Sequence, residues 1–167
     1  MSDRDIRSID NIHSQKTCMV NQTDNSFAEA VKMEEAQRRR NEAFLAVFRE
    51  DLAQSGLSAK TIKKHDANVT FFLTEYSVRT YYSDSMEDSA SAVNSFLCWY
   101  IPEKYIGNTK NLIKENATSL RKFFKCMVRH GYLSEEIYRK ISAEISEAVS
   151  DCGRDYAWFV KEFKQWN

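Results

Sequence analysis

From about residue 26 onward, apolar positions recur every three or four residues, the spacing of one face of an α-helix. Asn25 or Ser26 supplies an N-cap, Glu29 follows three residues after Ser26, and helix formers dominate through Gln54. The stretch 31–42 is nearly all polar and is expected to project into solvent or to form part of an interface. An apolar stripe begins at Phe44 and runs through Leu45, Val47, Phe48 and Leu52, and Ser55-Gly56 ends this first helix. Ser58 caps a second helix reaching about Tyr76, with Ile62, Val69, Phe72, Leu73 and Tyr76 on its core face. An acidic connection over 77–88 holds Tyr81 and Tyr82. A third helix starts near Asp88 or Ser89, buries Val93, Phe96, Leu97, Tyr100 and Ile101, and is stopped by Pro102. Gly107-Asn108-Thr109 reads as a turn and cap for a fourth helix from Lys110 to His130, closed by Gly131. Ser134 opens a fifth, with Ile137, Ile141, Ile145 and Val149 inward, and after Gly153 a short terminal helix carries Tyr156, Phe159, Phe163 and Trp166.

The fold class expected is all-α, a four- to five-helix orthogonal bundle with an N-terminal helical extension and a short C-terminal helix. Composition agrees. Four glycines and one proline in 167 residues fall well below the usual shares of about 7% and 5%, too few for the closely spaced turns of a β-sandwich. Residues 1–25 are polar and aperiodic and are expected to be a flexible tail, with the helical domain over 26–150 and the C-terminal extension over 151–167.

The net charge is zero, but its distribution is uneven. Residues 57–74 carry Lys60, Lys63 and Lys64 against Asp66, a net +2, and 75–103 hold a net −4. Residues 104–132 carry seven cations against Glu115 alone, a net +6. At about 100° per residue, Lys110, Lys114, Arg121, Lys122, Lys125 and Arg129 fall within an arc of roughly 120°. Leu112, Ile113, Ala117, Leu120, Phe123, Phe124 and Met127 fill the arc from about 200° to 340° by the same geometry. Lys110/Lys114, Arg121/Lys125 and Lys125/Arg129 are like-charge pairs one turn apart, each costing a few tenths of a kcal/mol. A helix that accepts three such pairs points to a polyanionic partner. Lys60, Lys63 and Lys64 sit at the first turn of the second helix, where the macrodipole favours acids and where a docked phosphate would account for them.

No motif carries catalysis. The glycines (Gly56, Gly107, Gly131, Gly153) stand singly, and GxGxxG, Walker A and GxSxG are all missing. The four cysteines (Cys18, Cys98, Cys126, Cys152) form no CxxC pair, and the histidines (His13, His65, His130) are dispersed. Neither a disulfide scaffold, a metal site nor a cofactor is expected, and each of these residues is assigned a structural or solvent-facing place. With no signal-like or membrane-spanning apolar run, the expected location is cytoplasmic.

The order of features resembles the N-terminal core-binding (SAM-like) domain of phage-integrase-type tyrosine recombinases. The matching phrases are GLSAKTIKKHDANVTFFLTEY (56–76), SFLCWYI (95–101) and NTKNLIKENATSLRKFFKCMVRHGYLSEEI (108–137). Within them Ser58, Thr61 and Ile62 match a family helix start, and Ser119 to Phe124, Met127, Gly131 and Leu133 match a later family helix. The resemblance covers about residues 40–145. It implies a bundle that grips duplex DNA with its second and fourth helices, hence contacts from Lys60, Lys63, Lys64, Lys110, Lys114, Arg121, Lys122, Lys125 and Arg129. Recombinases of that family also carry a catalytic domain with an arginine-rich site, a histidine pair and a tyrosine nucleophile. Here Arg154 and Tyr156 stand without an H-x-x-R, and no strand transfer is expected from this chain.

Two functions follow as expectations. The first is a non-catalytic accessory or regulatory module on double-stranded DNA, with a recombinase or a second copy, through the N-terminal helix, as protein partner and no membrane. The second is a solitary protein–protein interaction module, drawing on the polar stretch Ala28–Asn41 with Arg38-Arg39-Arg40 and on Trp158 and Trp166.

Overall fold

The computed structural model describes the backbone of residues 3–80, 85–105 and 109–165, and side chains within 27–79, 85–105 and 109–152. It is an all-α helical bundle with no strand among the described residues. The chain divides into two compact units, 1–36 and 37–167. In the first unit the backbone is helical from Asp3. Within its described side chains, Phe27, Val31 and Met33 are exposed.

The second unit is built from five helical stretches. The part of α1 (Asp3–Ala53) from Gln37 onward supplies Phe44, Leu45, Phe48 and Leu52 to the core. Helix α2 (Ala59–Thr70) starts where Ser58 accepts a hydrogen bond from the Thr61 N–H. It runs without a break through a π-helical turn (Phe71–Tyr76) into α3 (Ser77–Thr80). Helix α4 (Met86–Ser91) opens on a reciprocal cap between Ser85 and Asp88, three residues before the expected start. It leads through α5 (Val93–Ser95) and a second π-helical turn (Phe96–Tyr100) into α6 (Ile101–Lys104). Pro102 does not stop this helix. It stands at the start of α6, just after the wider turn in which the Ile101 N–H reaches Phe96 O, and its missing N–H is tolerated there.

Helix α7 (Thr109–Arg129) is the centre of the unit. Ile113, Ala117, Leu120, Phe123, Phe124 and Met127 are all buried, and Leu112 is partly buried. Gly131, at φ +75°, ends it, with the Tyr132 N–H bonded to Met127 O at 2.9 Å. Helix α8 (Glu135–Gln165) packs along α7 through Ile141, Ile145 and Ala148. It is one helix where the sequence pattern gives two. A glycine inside a helix costs only about 1 kcal/mol, so Gly153 does not break it. The side chains of Trp158 and Trp166, and residues 81–84 and 107–108 of the expected connections, lie outside the described set.

The two π-helical turns face each other across an aromatic cluster. Phe72 and Tyr76 from the first meet Phe96 from the second at ring-centroid distances of 5.0 and 5.2 Å. Tyr76 also lies 4.9 Å from Tyr100. The wider turn frees a carbonyl. In a regular α-helix the Ser77 N–H would bond Leu73 O; here it bonds Phe72 O, and Leu73 O accepts from the Asn41 Nδ2 of α1 at 2.8 Å. One turn earlier Gln37 Nε2 donates to Ser77 Oγ at 2.9 Å and to Ser77 O at 3.2 Å. Two residues of the polar stretch 31–42 are therefore buried plugs rather than solvent-facing side chains.

Cys98 and Cys152 are joined as a disulfide, with Cα atoms 5.2 Å apart. This corrects the expectation that the cysteines are unpaired. They are 54 residues apart in sequence, and only the packing of the second π-helical turn on α8 brings them together. No described helix is long and apolar enough to cross a membrane.

The Asn41 contact is testable. Asn41→Ala leaves a buried carbonyl without a partner and is expected to cost about 1–3 kcal/mol in urea unfolding. Asn94→Ala, at an exposed position, is expected to change stability by less than about 0.5 kcal/mol.

Candidate nucleic-acid interface

Because α7 buries one face in the core and is flanked by α2 and α8, only a narrow ribbon of it meets solvent. That ribbon is cationic. Lys110, Lys114, Lys125 and Arg129 are exposed, and Arg121 and Lys122 are half-buried. Thr118 is the exposed neutral residue between Lys114 and Lys122.

The lateral packing divides these cations between two open hollows. One, of about 140 Å³, is lined by Lys64 and His65 of α2 and by Lys114, Glu115 and Thr118 of α7. The other, of about 300 Å³, is lined by Arg121, Lys122, Lys125 and Arg129 of α7 and by Tyr138 of α8. Four cations thus surround one concave site. Arg121 Nη2 is steadied by a 2.9 Å hydrogen bond to Ser146 Oγ of α8, which holds the guanidinium without neutralising it. Lys60, Lys63 and Lys110 are exposed but line neither hollow.

Acids reach the ribbon near its two ends. Glu115 lies 3.5 Å from Lys64, and Asp51 of α1 lies 2.6 Å from Arg129. The first is a contact between half-exposed groups and is worth little. Asp66, the single acid of α2, is taken by Arg49 at 2.8 Å, and Arg49 also holds Glu42. The Asp66 and Glu42 carboxylates hold the Arg49 pKa above its usual value. Lys110, Lys114, Arg121, Lys122 and Lys125 pair with no acid among the described residues.

A buried polar junction fixes α2 on α7 beneath the first hollow. Ser119 Oγ donates to Glu115 O at 2.9 Å and accepts from Asn68 Nδ2 at 3.0 Å. His65 Nδ1 lies 2.9 Å from the same oxygen. With the hydroxyl proton committed to Glu115 O, the consistent arrangement has His65 Nδ1–H donating to Ser119. Desolvation lowers the His65 pKa, and the Lys122 and Lys64 charges lower it further.

Tyr138, Ser146, His65 and Ser119 were not marked by the charge pattern. They join the site through packing of α8 and α2 on α7, and nothing in their local sequence signals it. Comparison with protein-family models, with curated proteins and with solved structures returns no match.

The His65 environment gives a pH dependence of stability. Its folded-state pKa lies below the unfolded value of 6.5, so on acidification the unfolded chain takes up the proton first. The contribution is therefore complete above about pH 6.5 and is lost as the pH falls from there toward the folded pKa. Urea midpoints of the wild type are expected to fall between about pH 7.5 and pH 5.5. His65→Gln should flatten that slope, and an unchanged slope would show that the acid sensitivity arises elsewhere.

Proposed function

We propose that this chain is a non-catalytic DNA-binding module that grips duplex phosphates with the outward ribbon of α7 and the adjoining flank of α2. The observation that carries the reading is the convergence of Arg121, Lys122, Lys125 and Arg129 on one hollow, in line with Lys114 and Lys110 on the same face. Folding a protein does not require like charges to be gathered at one concave spot; a polyanion gains from it. From Lys110 to Arg129 the ribbon spans about 28 Å, the length of roughly eight base-pair steps. The resemblance of 56–76, 95–101 and 108–137 to recombinase core-binding domains supports the same reading, since those segments include the two basic helices. On that basis the role is accessory or regulatory to site-specific recombination.

A second reading, a protein–protein module, draws on a different part of the chain. Phe27 and, one turn on, Val31 are exposed on α1, with Met33 two residues further. Phe27 and Val31, on one face, fit a second copy or another helical protein. The cationic ribbon favours the first reading for the second unit.

The test is fluorescence anisotropy with a labelled mixed-sequence duplex at about 50, 100 and 200 mM salt. Five α7 cations without an acid partner predict a log–log salt slope of about −4.5. Lys114→Glu/Arg121→Glu/Lys125→Glu, with folding verified by circular dichroism, is expected to abolish binding. Absence of binding by the wild type at the lowest salt would sink the DNA reading and move the search to a protein partner.

A further inference from the structure

Beside the basic ribbon, at the C-terminal end of α7, is a second cluster of different chemistry. Asp51 of α1, Cys126 of α7 and His130 just past the end of α7 place a carboxylate oxygen, a thiol sulfur and an imidazole nitrogen within 4.8 Å of one another. Among the described residues it is the one such convergence of three metal-ligating side chains. We infer that Asp51, Cys126 and His130 form a binding site for a thiophilic divalent metal ion, zinc by its ligand set. The inference stands independently of DNA binding.

The donor set is the first argument. One thiolate, one carboxylate and one neutral imidazole bring two negative charges to a dication, so the filled site is neutral. Nitrogen, sulfur and oxygen donors in a threefold set are those of zinc sites with an open fourth position. Cys126 and His130 are four residues apart and so lie one turn apart on the same helix face. Cys126 is buried while His130 is exposed, so the fourth position, taken by water, opens on the histidine side. Zinc bonds of about 2.0–2.3 Å in a tetrahedron set donor atoms roughly 3.3–3.8 Å apart. The observed spread needs a closure of about 1 Å, within reach of side-chain torsions in His130 and Asp51.

The second argument is that the cluster already holds a cation. The Arg129 guanidinium lies 2.6 Å from the Asp51 carboxylate. Arg129 is solvent-exposed for about half its side chain (54%), so it can leave while the metal enters. The same groups could be mistaken for a nucleophilic Cys-His-Asp set, but the thiol does not suit that role. Burial and the Asp51 charge push its pKa up to about 11, the reverse of an activated cysteine. A metal ion needs no such activation, because it displaces the thiol proton to solvent as the metal–sulfur bond forms.

Sequence did carry part of this signal. Cys126-x-x-x-His130 on a strongly amphipathic helix is ligand spacing, and the assignment of both residues to structural or solvent-facing places overlooked it. Asp51, 75 residues earlier, could not be added without the fold.

The test uses the full chain with its disulfide closed, in a Cys18→Ser background, so that Cys126 is the sole thiol. Cobalt(II) is titrated as a spectroscopic stand-in for zinc, followed by zinc displacement. One cobalt per chain is expected, with the intense visible bands of a tetrahedral site and a near-ultraviolet sulfur-to-metal charge-transfer band. His130→Gln, at an exposed position that should not disturb folding, is expected to weaken binding by more than the roughly tenfold to hundredfold that loss of a mere outer partner costs. Cys126→Ser should remove the charge-transfer band, and Arg129→Gln should tighten binding by removing the competing cation. No tetrahedral spectrum at one equivalent, or a spectrum and affinity unchanged in His130→Gln, would overturn the assignment.

Discussion

The burial of α7 between the core and its two lateral neighbours is the constraint on which most of the second unit depends. Phe123 and Phe124 reach opposite parts of the interior: Phe123 lies 5.5 Å from Phe48 of α1, and Phe124 lies 6.4 Å from Phe72 of the first π-helical turn. A helix held this way has no rotational freedom, because turning it by one residue, about 100°, would drive lysines into the aromatic cluster. The direction of every cation on the ribbon is thus set by apolar packing beneath it. The charge pattern is displayed by the core rather than by any interaction among the charges.

The same packing explains two departures from regular helix geometry. The segments FFLTEY and FLCWY each place large rings at close spacing, and the helices carrying them widen into π-helical turns where they oppose one another. Widening releases backbone carbonyls, which in a buried position must find donors. Asn41 of α1 supplies one to Leu73 O, and Gln37 one turn earlier bonds Ser77 at the end of the same turn. Conformation on one helix thus dictates residue type on another. This is the reason a polar stretch that looks solvent-facing in isolation contains two fully buried amides.

Helix positions, inward faces and the two glycine stops were legible from periodicity, because each is a local property repeated every turn. Val69, Phe72, Leu73, Phe96, Leu97, Leu120, Phe123 and Ile145 are all buried as their spacing implies. The cations of α7 were legible for the same reason. What was not legible is long-range. The Cys98–Cys152 bridge, the Asn41 plug and the contribution of Tyr138 to the larger hollow each join residues from separate helices. Gly153 and Pro102 failed as stop signals because their local cost is about 1–3 kcal/mol, which packing and a wider turn absorb. Lys60, Lys63 and Lys110 were legible as cations, but which hollow a cation lines depends on the neighbouring helix.

The placement of acids around the ribbon bears on its purpose. Like charges one turn apart cost a few tenths of a kcal/mol each, and a single glutamate among them would relieve the strain. Asp51 does so at one end, beside Arg129, but Arg121, Lys122 and Lys125 in the middle meet no acid among the described residues. Arg121 is instead tethered by a neutral hydroxyl, Ser146, on the helix alongside. A hydroxyl fixes the guanidinium while leaving its charge available, whereas a carboxylate there would have cancelled it. Stability alone does not favour that choice. An anion that arrives from outside, and is bound by several fixed cations at once, does.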